Sequence, residues 1–202
     1  NPGAINSLKG TASGLILVRL CGAHLYNRQQ RIICRRFFWL PLYIMKSKLT
    51  LRKKCLEKRN ISFYKKGYDC LKKKDIKLII SEIRSKFKIS SIAIYYPIKT
   101  EISPFKLIKI CKRWTITICL PVIYKNTNEL IFSKFENKNS LIKNKYGIFE
   151  PTEINQITPD IIFVPMVGFD RDLNRLGYGK GYYDRTISKL RKLKKIFVIG
   201  VA

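Results

Sequence analysis

Residues 160–195 have the sequence DIIFVPMVGFDRDLNRLGYGKGYYDRTISKLRKLKK, and this stretch decides the fold. It opens with a short apolar run at 161–164, rich in β-branched residues and ended by Pro165, which predicts a buried strand. After a turn at 170–174, apolar residues recur at helical spacing from Tyr183 onward with lysines and arginines between them, which predicts an amphipathic helix. Between the strand and the helix stand three alternate glycines: Gly177, Gly179 and Gly181.

A strand, a glycine loop and a helix in this order are typical of a phosphate-binding site. Glycine lets backbone N–H groups come close to an anion, and the start of a helix adds a partial positive charge. Arg175 and Lys180 flank the glycines and can neutralise phosphate oxygens. Asp184 falls in the first helical turn, where a Mg²⁺ ion bridging it to phosphate removes the repulsion between two anions. A plain glycine-rich turn followed by an N-terminal aspartate gives the same short motif.

The longer pattern around these glycines is more specific. Residues 165–170, PMVGFD, followed by 175–185, RLGYGKGYYDR, resemble the signature of the 5-formyltetrahydrofolate cyclo-ligases, also called methenyltetrahydrofolate synthetases. The resemblance extends from about Met45 to the end of the chain. It implies an α/β fold, ATP and Mg²⁺ as cofactors, and a reduced folate as the small-molecule substrate.

The resemblance also implies roles for individual residues of this chain. Arg175 and Lys180 oppose the charge on the transferring phosphoryl group, and Asp184 holds the metal. The folate lies against Glu101 and Tyr96. Tyr178 and Tyr182 either wall the folate as well or simply pack in the protein. ATP is bound by a larger set: Lys48, Arg52, Arg175, Gly177, Tyr178, Gly179, Lys180, Gly181, Tyr182 and Tyr183.

The chemistry implied by the family needs no protein nucleophile. The formyl oxygen on N5 of the folate attacks the γ-phosphate of ATP, and ring closure by N10 then releases phosphate. Phosphoryl transfer of this kind depends on in-line positioning and charge neutralisation. The chain has many cations and one histidine, His24, which lies outside the region expected to fold. A mechanism that uses a histidine base is therefore disfavoured.

An upstream basic helix supplies two of these candidates. Lys48 and Arg52 stand four residues apart in a helix predicted over 46–58, so both side chains face the same way. Two cations on one face, with no acid between them, can grip a triphosphate. The alternative is an ordinary solvated basic face.

Glu101 follows a strand predicted over 91–96. Ligands of open α/β sheets bind beyond the carboxyl ends of the strands, which places Glu101 at the site. The resemblance implies that Tyr96 borders the same pocket. A carboxylate acceptor suits the N–H donors of a pterin ring. An acid near the start of a helix predicted over 104–113 is also consistent with the sequence.

The remaining patterns complete an alternation of strands and helices. They predict a turn at 59–62 with Ser62 as a helix N-cap, amphipathic helices within 63–88, and strands at 115–120 (ended by Pro121), 129–132 and 196–201. This alternation predicts an α/β fold, a three-layer α/β/α sandwich around a largely parallel sheet. The resemblance implies a relation to the sugar-phosphate isomerase and CoA-transferase group.

The chain is strongly basic, with a formal net charge of +28. Such a charge favours an RNA or membrane partner, but no RNA-binding motif and no membrane-spanning run occurs, and abundant Lys, Ile, Asn, Tyr and Phe also fit A/T-rich coding. A basic RNA-binding protein and a non-catalytic nucleotide- or folate-binding remnant are the alternatives to an enzyme. We expect a monomer that acts on small molecules, without a specific nucleic-acid or membrane partner.

Six cysteines lack the spacing of a metal site, which predicts free thiols in a reducing cytoplasm. They are Cys21, Cys34, Cys55, Cys70, Cys111 and Cys119.

Residues 1–44 differ from the rest in their use of charged residues. They contain five arginines, one lysine and no acid, whereas 27 lysines and 8 arginines follow from Met45 onward. We predict that this leader lies outside the fold and is sequence read through before a start at Met45. The alternative is a transit peptide, which would direct the protein to mitochondria. Residues 45–202 form the predicted cyclo-ligase domain, which we expect to be truncated at its carboxyl end.

Overall fold

A computed structural model describes residues 15–17, 47–66, 73–124, 127–170 and 174–201. Four helices alternate with ten strands along these ranges. The helices are α1 (Lys48–Lys66), α2 (Lys73–Lys86), α3 (Lys106–Arg113) and α4 (Tyr182–Leu193). The strands are β1 (Leu15–Leu17), β2 (Ser91–Ala93), β3 (Thr117–Ile123), β4 (Leu130–Lys134), β5 (Leu141–Lys143), β6 (Phe149–Pro151), β7 (Ile161–Pro165), β8 (Gly168–Phe169), β9 (Arg175–Leu176) and β10 (Phe197–Val201).

Six of these strands form one sheet in the order β1-β10-β7-β2-β3-β4. Every neighbouring pair is parallel except β3 and β4, so the sheet is largely parallel with one antiparallel edge. Two short antiparallel ribbons, β5–β6 and β8–β9, lie outside it. The prediction of a mixed α/β fold with a largely parallel sheet is confirmed.

The chain leaves the two central strands in opposite directions. From β2 it passes through α3 to β3 on one side, and from the adjacent β7 it passes through α4 to β10 on the other. Such a divergence opens a crevice at the carboxyl ends of the two strands, where ligands of open α/β sheets bind.

Alternate residues of the strands pack into two separate clusters. Ile161 and Phe163 of β7 join the cluster that contains buried residues of α2 and α3. Ile162 and Val164 point to the other cluster, which includes Ile187 of α4. The continuous apolar run of β7 is therefore explained by burial on both faces of the sheet.

Helix α1 runs straight through the predicted turn at 59–62, so that prediction and the N-cap role of Ser62 are wrong. Tertiary contacts outweigh the local turn signal of Asn60 and Ser62. Arg59 is almost completely buried and hydrogen-bonds to Thr100 and Tyr178, which holds this part of the helix against the rest of the molecule.

Pro121 does not end β3 as predicted, because the strand continues to Ile123. Backbone groups of alternate strand residues point to the same side. The N–H of Thr117 and the carbonyl of Cys119 point towards β2, so the backbone nitrogen of Pro121 points towards β2 as well. β2 stops at Ala93, opposite Cys119. The missing N–H of Pro121 therefore costs no hydrogen bond to β2, and pairing with β4 continues.

Of the predicted leader at residues 1–44, the structure describes only the strand at 15–17. Leu15–Leu17 form β1 and pair with 198–200 of β10. The rest of residues 1–44, including His24, lies outside the described residues, and the division at Met45 stays a prediction.

Three cysteines fall in the described ranges, and all three are free: Cys55, Cys111 and Cys119. Burial raises the pKa of Cys111 and of Cys119 to about 12, so these two thiols are protonated at neutral pH.

Within the described residues, no helix combines the length and the apolar character that crossing a membrane requires.

Asp160 joins three segments at the amino-terminal end of the sheet. Its Oδ2 accepts hydrogen bonds from the backbone and hydroxyl groups of Ser90 and Ser91, and its Oδ1 accepts one from Lys194 Nζ at 2.6 Å. Burial raises the pKa of this carboxyl, but the hydrogen bonds from Lys194, Ser90 and Ser91 outweigh it and lower the pKa to about 2.

We predict that Asp160→Asn lowers the free energy of unfolding at neutral pH by on the order of 1 kcal/mol. The folded pKa lies below the ordinary value of 3.8, so the stabilisation is present above that value and is lost as the pH falls towards about 2. Urea unfolding at pH 7 and across pH 4 to 2 measures this, with Glu82→Gln, which removes the exposed pair to Lys86, as the control. A deficit that stays constant down to the lowest pH would contradict the assignment.

Candidate functional site

A cleft of about 490 Å³ opens at the carboxyl ends of β2, β3 and β7. Helix α1, the β8–β9 ribbon and the start of α4 form its other walls. Every residue that the sequence predicted at the site lines this one cleft: Lys48, Arg52, Tyr96, Glu101, Arg175, Gly177, Tyr178, Gly179, Lys180, Gly181, Tyr182, Tyr183 and Asp184. The roles assigned to these residues remain predictions.

The glycine loop, residues 177–181, leads from β9 into α4. Gly179 and Gly181 adopt φ values of +102° and +69°, which residues with a Cβ rarely adopt. Gly181 is the N-cap of α4, and no side chain caps the helix there. No backbone N–H from 177 to 181 donates a hydrogen bond to another described residue. These amides are available to an anion in the cleft.

Two arginines hold the carbonyl side of the glycine loop. Arg52 donates from Nε to the Gly177 carbonyl at 2.8 Å, and its guanidinium lies so close to Gly179 that a Cβ there would be 3.3 Å from Cζ. Arg185 donates from Nη2 to the Lys180 carbonyl at 2.6 Å and from Nε to the Asn128 carbonyl at 2.7 Å. Two carbonyls of the loop are therefore occupied by arginines, whereas its amides remain without a partner among the described residues.

Arg175 and Asp184 form an ion pair beside this loop. The Arg175 side chain is only 11% exposed, whereas that of Asp184 is 69% exposed. The ion pair sets the carboxylate at the mouth of the cleft and the guanidinium further inside.

The described residues hold no group of three metal-ligating side chains. The described part of the chain therefore contains no metal cage built from protein ligands alone. One accessible carboxylate beside a phosphate site fits the way Mg²⁺ is usually held, with phosphate oxygens and water completing its shell. Asp184 fits that pattern as the single protein ligand.

Glu101 lies in the loop after β2, lines the same cleft and is 6% exposed. Its Oε2 accepts a hydrogen bond from the Ile98 N–H at 2.9 Å, within the loop that follows β2. Glu101 is therefore not an acid in the first turn of α3, and it does not cap that helix. Burial raises the pKa of Glu101, while hydrogen bonds from Ile98 and Tyr178 and the positive charge of Arg59 oppose that rise. The group is a buried carboxylate with acceptor capacity left for a ligand.

Two neighbours of the cleft were missed by the sequence analysis. Arg59 donates from Nη2 to the Tyr178 hydroxyl at 2.6 Å. The signal that could have revealed it is spacing, since Arg59 follows Arg52 by seven residues, two helical turns, on the same face of α1. Tyr146 lines the mouth, with Lys180 Nζ 3.6 Å from its ring centroid and its hydroxyl 3.4 Å from that of Tyr182. Nothing local in the sequence indicates this contact, which the β5–β6 ribbon creates.

The other predicted residues occupy the walls. Lys48 is exposed at the start of α1, one turn before Arg52. Tyr96 packs against the rings of Phe105 and Phe149, with centroids 5.2 and 4.7 Å away. Tyr183 stacks beside Arg175, and burial raises the pKa of its hydroxyl. The cleft thus has a cationic half with free amides and an aromatic half with one buried carboxylate.

Comparison with known proteins gives a consistent family. Residues 44–202 match the model of the 5-formyltetrahydrofolate cyclo-ligase family. The 5-formyltetrahydrofolate cyclo-ligase of Mycoplasma pneumoniae is 34% identical over 160 residues, which are 77% of this chain and 84% of that protein. That of Haemophilus influenzae is 34% identical over 118 residues, 55% of this chain and 63% of that protein, so the match spans less than two thirds of its length.

A solved structure agrees with these relatives. The solution structure of Aquifex aeolicus 5,10-methenyltetrahydrofolate synthetase superposes with a TM-score of 0.53 at 33% sequence identity. The superposition covers 77% of each chain.

We predict that Gly181→Ala destabilises the protein by about 1–2 kcal/mol and weakens pyrophosphate binding. A Cβ at Gly181 would lie 2.8 Å from Arg185 Nη1 and would displace the arginine that holds the Lys180 carbonyl. Gly147→Ala is the matched control, because Gly147 has a similar φ of +71° but open space around the added Cβ. Thermal unfolding and calorimetric titration with pyrophosphate measure both effects. Equal behaviour of the two variants would show that Arg185 does not shape the loop.

Proposed function

The chain belongs to the 5-formyltetrahydrofolate cyclo-ligase family, and we propose that it converts 5-formyltetrahydrofolate to 5,10-methenyltetrahydrofolate while ATP is converted to ADP and phosphate. One observation carries this proposal. A single cleft joins a cationic loop with free amides to a buried carboxylate set among aromatic rings. A phosphate chain and a heterocycle rich in N–H groups need these two environments side by side.

The cationic half suits the triphosphate of ATP. Amides of the glycine loop and the N-terminus of α4 offer donors for phosphate oxygens. Arg52 and Lys48 add positive charge from α1, while Arg175 and Lys180 add it from the loop side. A polyphosphate bound here meets cations from two separate elements.

The aromatic half suits the folate. Glu101 offers carboxylate oxygens to the N–H groups of the pterin ring, and Tyr96 and Tyr178 form walls of the pocket. Tyr182 lies near Tyr146 at the mouth, where the two halves meet. The substrate's formyl group then lies at the boundary with the phosphate-binding loop.

The proposed reaction, which is the one that membership of the family implies, has two steps. The formyl oxygen on N5 attacks the γ-phosphorus and ADP departs, and attack by N10 on the formyl carbon then closes the ring and releases phosphate. Arg175 and Lys180 stabilise negative charge on the transferring phosphoryl group, so catalysis rests on alignment and charge neutralisation. No protein nucleophile is required.

We assign Mg²⁺ to the carboxylate of Asp184, together with phosphate oxygens of ATP. When bound, the ion neutralises phosphate charge that this carboxylate would otherwise repel. Asp184 would hold the ion through its carboxylate, and Arg175, which pairs with that carboxylate, would direct its guanidinium to the phosphoryl group.

We infer further that the fold is the three-layer α/β/α sandwich of the sugar-phosphate isomerase and CoA-transferase group. Helices on both faces of the sheet support that inference. We also propose that the enzyme acts as a cytoplasmic monomer without a nucleic-acid partner. Its free thiols at Cys55, Cys111 and Cys119 suit a reducing compartment.

The direct test is incubation of the chain with 5-formyltetrahydrofolate, ATP and Mg²⁺, followed by the absorbance of the methenyl product. Product formation that requires ATP is the expected result. A folded chain that neither forms the product nor binds the folate would overturn the proposal.

We predict that Arg175→Ala lowers turnover by roughly a hundredfold or more, because losing such a contact costs about 2.7–4 kcal/mol of barrier. The absorbance assay at saturating substrates measures it. Arg84→Ala is the control, since Arg84 stacks on Trp114 and does not line the cleft. An unchanged rate would remove Arg175 from the catalytic centre.

We predict that Asp184→Asn raises the Mg²⁺ concentration needed for half-maximal turnover by about tenfold, because a neutral amide is a weaker ligand for a hard cation. Turnover is measured against Mg²⁺ at fixed ATP. Glu136→Gln makes the same chemical change at an exposed residue outside the cleft. If both variants keep the Mg²⁺ dependence of the unmodified chain, Asp184 is not the metal ligand.

A further inference from the structure

Arg59 is a buried cation that takes no part in the proposed reaction. Its side chain lies on α1 with 5% exposure, where a charge without partners is costly. Its hydrogen-bonding partners are two hydroxyl groups: Nε donates to Thr100 Oγ1 at 3.1 Å, and Nη2 donates to the Tyr178 hydroxyl at 2.6 Å. Within the described residues, no carboxylate forms an ion pair with it.

These contacts fix the direction of two protons. A guanidinium only donates hydrogen bonds, so both hydroxyl oxygens must act as acceptors towards it. The proton of Thr100 consequently points away from Arg59, to Asn60 Oδ1 at 2.7 Å. The proton of Tyr178 likewise points away from Arg59, and Tyr178 lines the cleft together with Glu101.

Glu101 therefore shares the cleft with the Tyr178 hydroxyl that Arg59 holds, and it directly follows Thr100, the other partner of Arg59. One oxygen of the Glu101 carboxylate receives the Ile98 N–H, which leaves the remaining acceptor positions to the cleft. The titratable groups that face this carboxylate come from every neighbouring element: Arg59 from α1, Tyr178 from the glycine loop, Tyr95 from the end of β2 and Tyr183 from α4. Of these, only Arg59 carries charge at neutral pH, and it is positive.

We propose that Arg59 is a positioning residue for folate recognition, which orients the Tyr178 hydroxyl and supplies positive charge behind Glu101 so that this carboxylate stays an anionic acceptor for the pterin N–H groups. The inference rests on the proposed function, because it takes the ligand of Glu101 to be the reduced folate. It separates α1 into two functions. Arg52 serves the phosphate loop, and Arg59, two turns further along the same face, serves the folate pocket.

The test compares the unmodified chain with Arg59→Met, which keeps the length and apolar stem of the side chain but removes its charge and donors. Calorimetry measures dissociation constants for 5-formyltetrahydrofolate and, separately, for Mg·ATP at pH 6, 7 and 8. We expect Arg59→Met to weaken folate binding by about tenfold and to change ATP binding by less than about twofold. The folate defect should grow from pH 8 to pH 6, because Glu101 without its positive neighbour takes up a proton more readily.

Thermal melting reports whether Arg59→Met is folded. If it folds poorly, Arg59→Lys and Tyr178→Phe test the inference instead. Lysine retains the charge but cannot bridge both hydroxyls, so it should restore the pH profile without restoring full affinity. Tyr178→Phe should reproduce the folate-selective defect. If both residues act together, the dissociation constant of the double variant Arg59→Met/Tyr178→Phe for folate should exceed that of the weaker-binding single variant by no more than about twofold. Arg113→Met, at an exposed position outside the cleft, is the matched control.

The outcomes separate this inference from the proposed function. If the unmodified chain binds folate and turns it over while Arg59→Met behaves identically, only the role of Arg59 is wrong. Equal losses of folate and ATP binding, or a folate defect that does not vary with pH, would reduce Arg59 to a structural residue and overturn the inference. If the unmodified chain binds no folate at all, both proposals fall.

Discussion

The site depends on one constraint, which is that the carbonyl groups of the glycine loop are already engaged. Arg52 holds the Gly177 carbonyl and Arg185 holds the Lys180 carbonyl. Residues 177–181 line the cleft, and none of their amides donates a hydrogen bond to another described residue, so these amides are free to bind an anion there. The loop can adopt this conformation because Gly179 and Gly181 stand where φ is positive, and residues with a Cβ rarely adopt positive φ.

The sheet determines where this loop can act. Strands β2 and β7 are neighbours from which the chain departs in opposite directions, so the loops beyond them border a common crevice. The loop after β2 brings Glu101, and the segment after β7 brings the glycines. Helix α1 then crosses both, which explains how Arg52 and Arg59 of one helix reach different halves of the cleft.

The distribution of charge within the cleft matters more than the net charge of +28. Most lysines lie on exposed surfaces, where an individual charge is screened and contributes little. Two arginines of the cleft differ, since Arg175 and Arg59 are largely withdrawn from water and each makes a defined contact, with Asp184 and Tyr178 respectively. A charge at low local dielectric has stronger effects on a bound anion or a neighbouring carboxylate.

Apolar periodicity, glycine spacing and a long family signature are local patterns, so the amino-acid sequence alone predicts the strand–glycine–helix unit, the α/β class and the set of residues that meet in the cleft. Only the tertiary structure decided that α1 continues through 59–62, that Pro121 is tolerated within β3, and that Arg59 and Tyr146 join the site. Each of these depends on partners far along the chain: Thr100 and Tyr178 for Arg59, the short β2 for Pro121, and Lys180 for Tyr146. A local pattern carries no information about such partners, since burial and long-range hydrogen bonds override the preferences of the few residues involved.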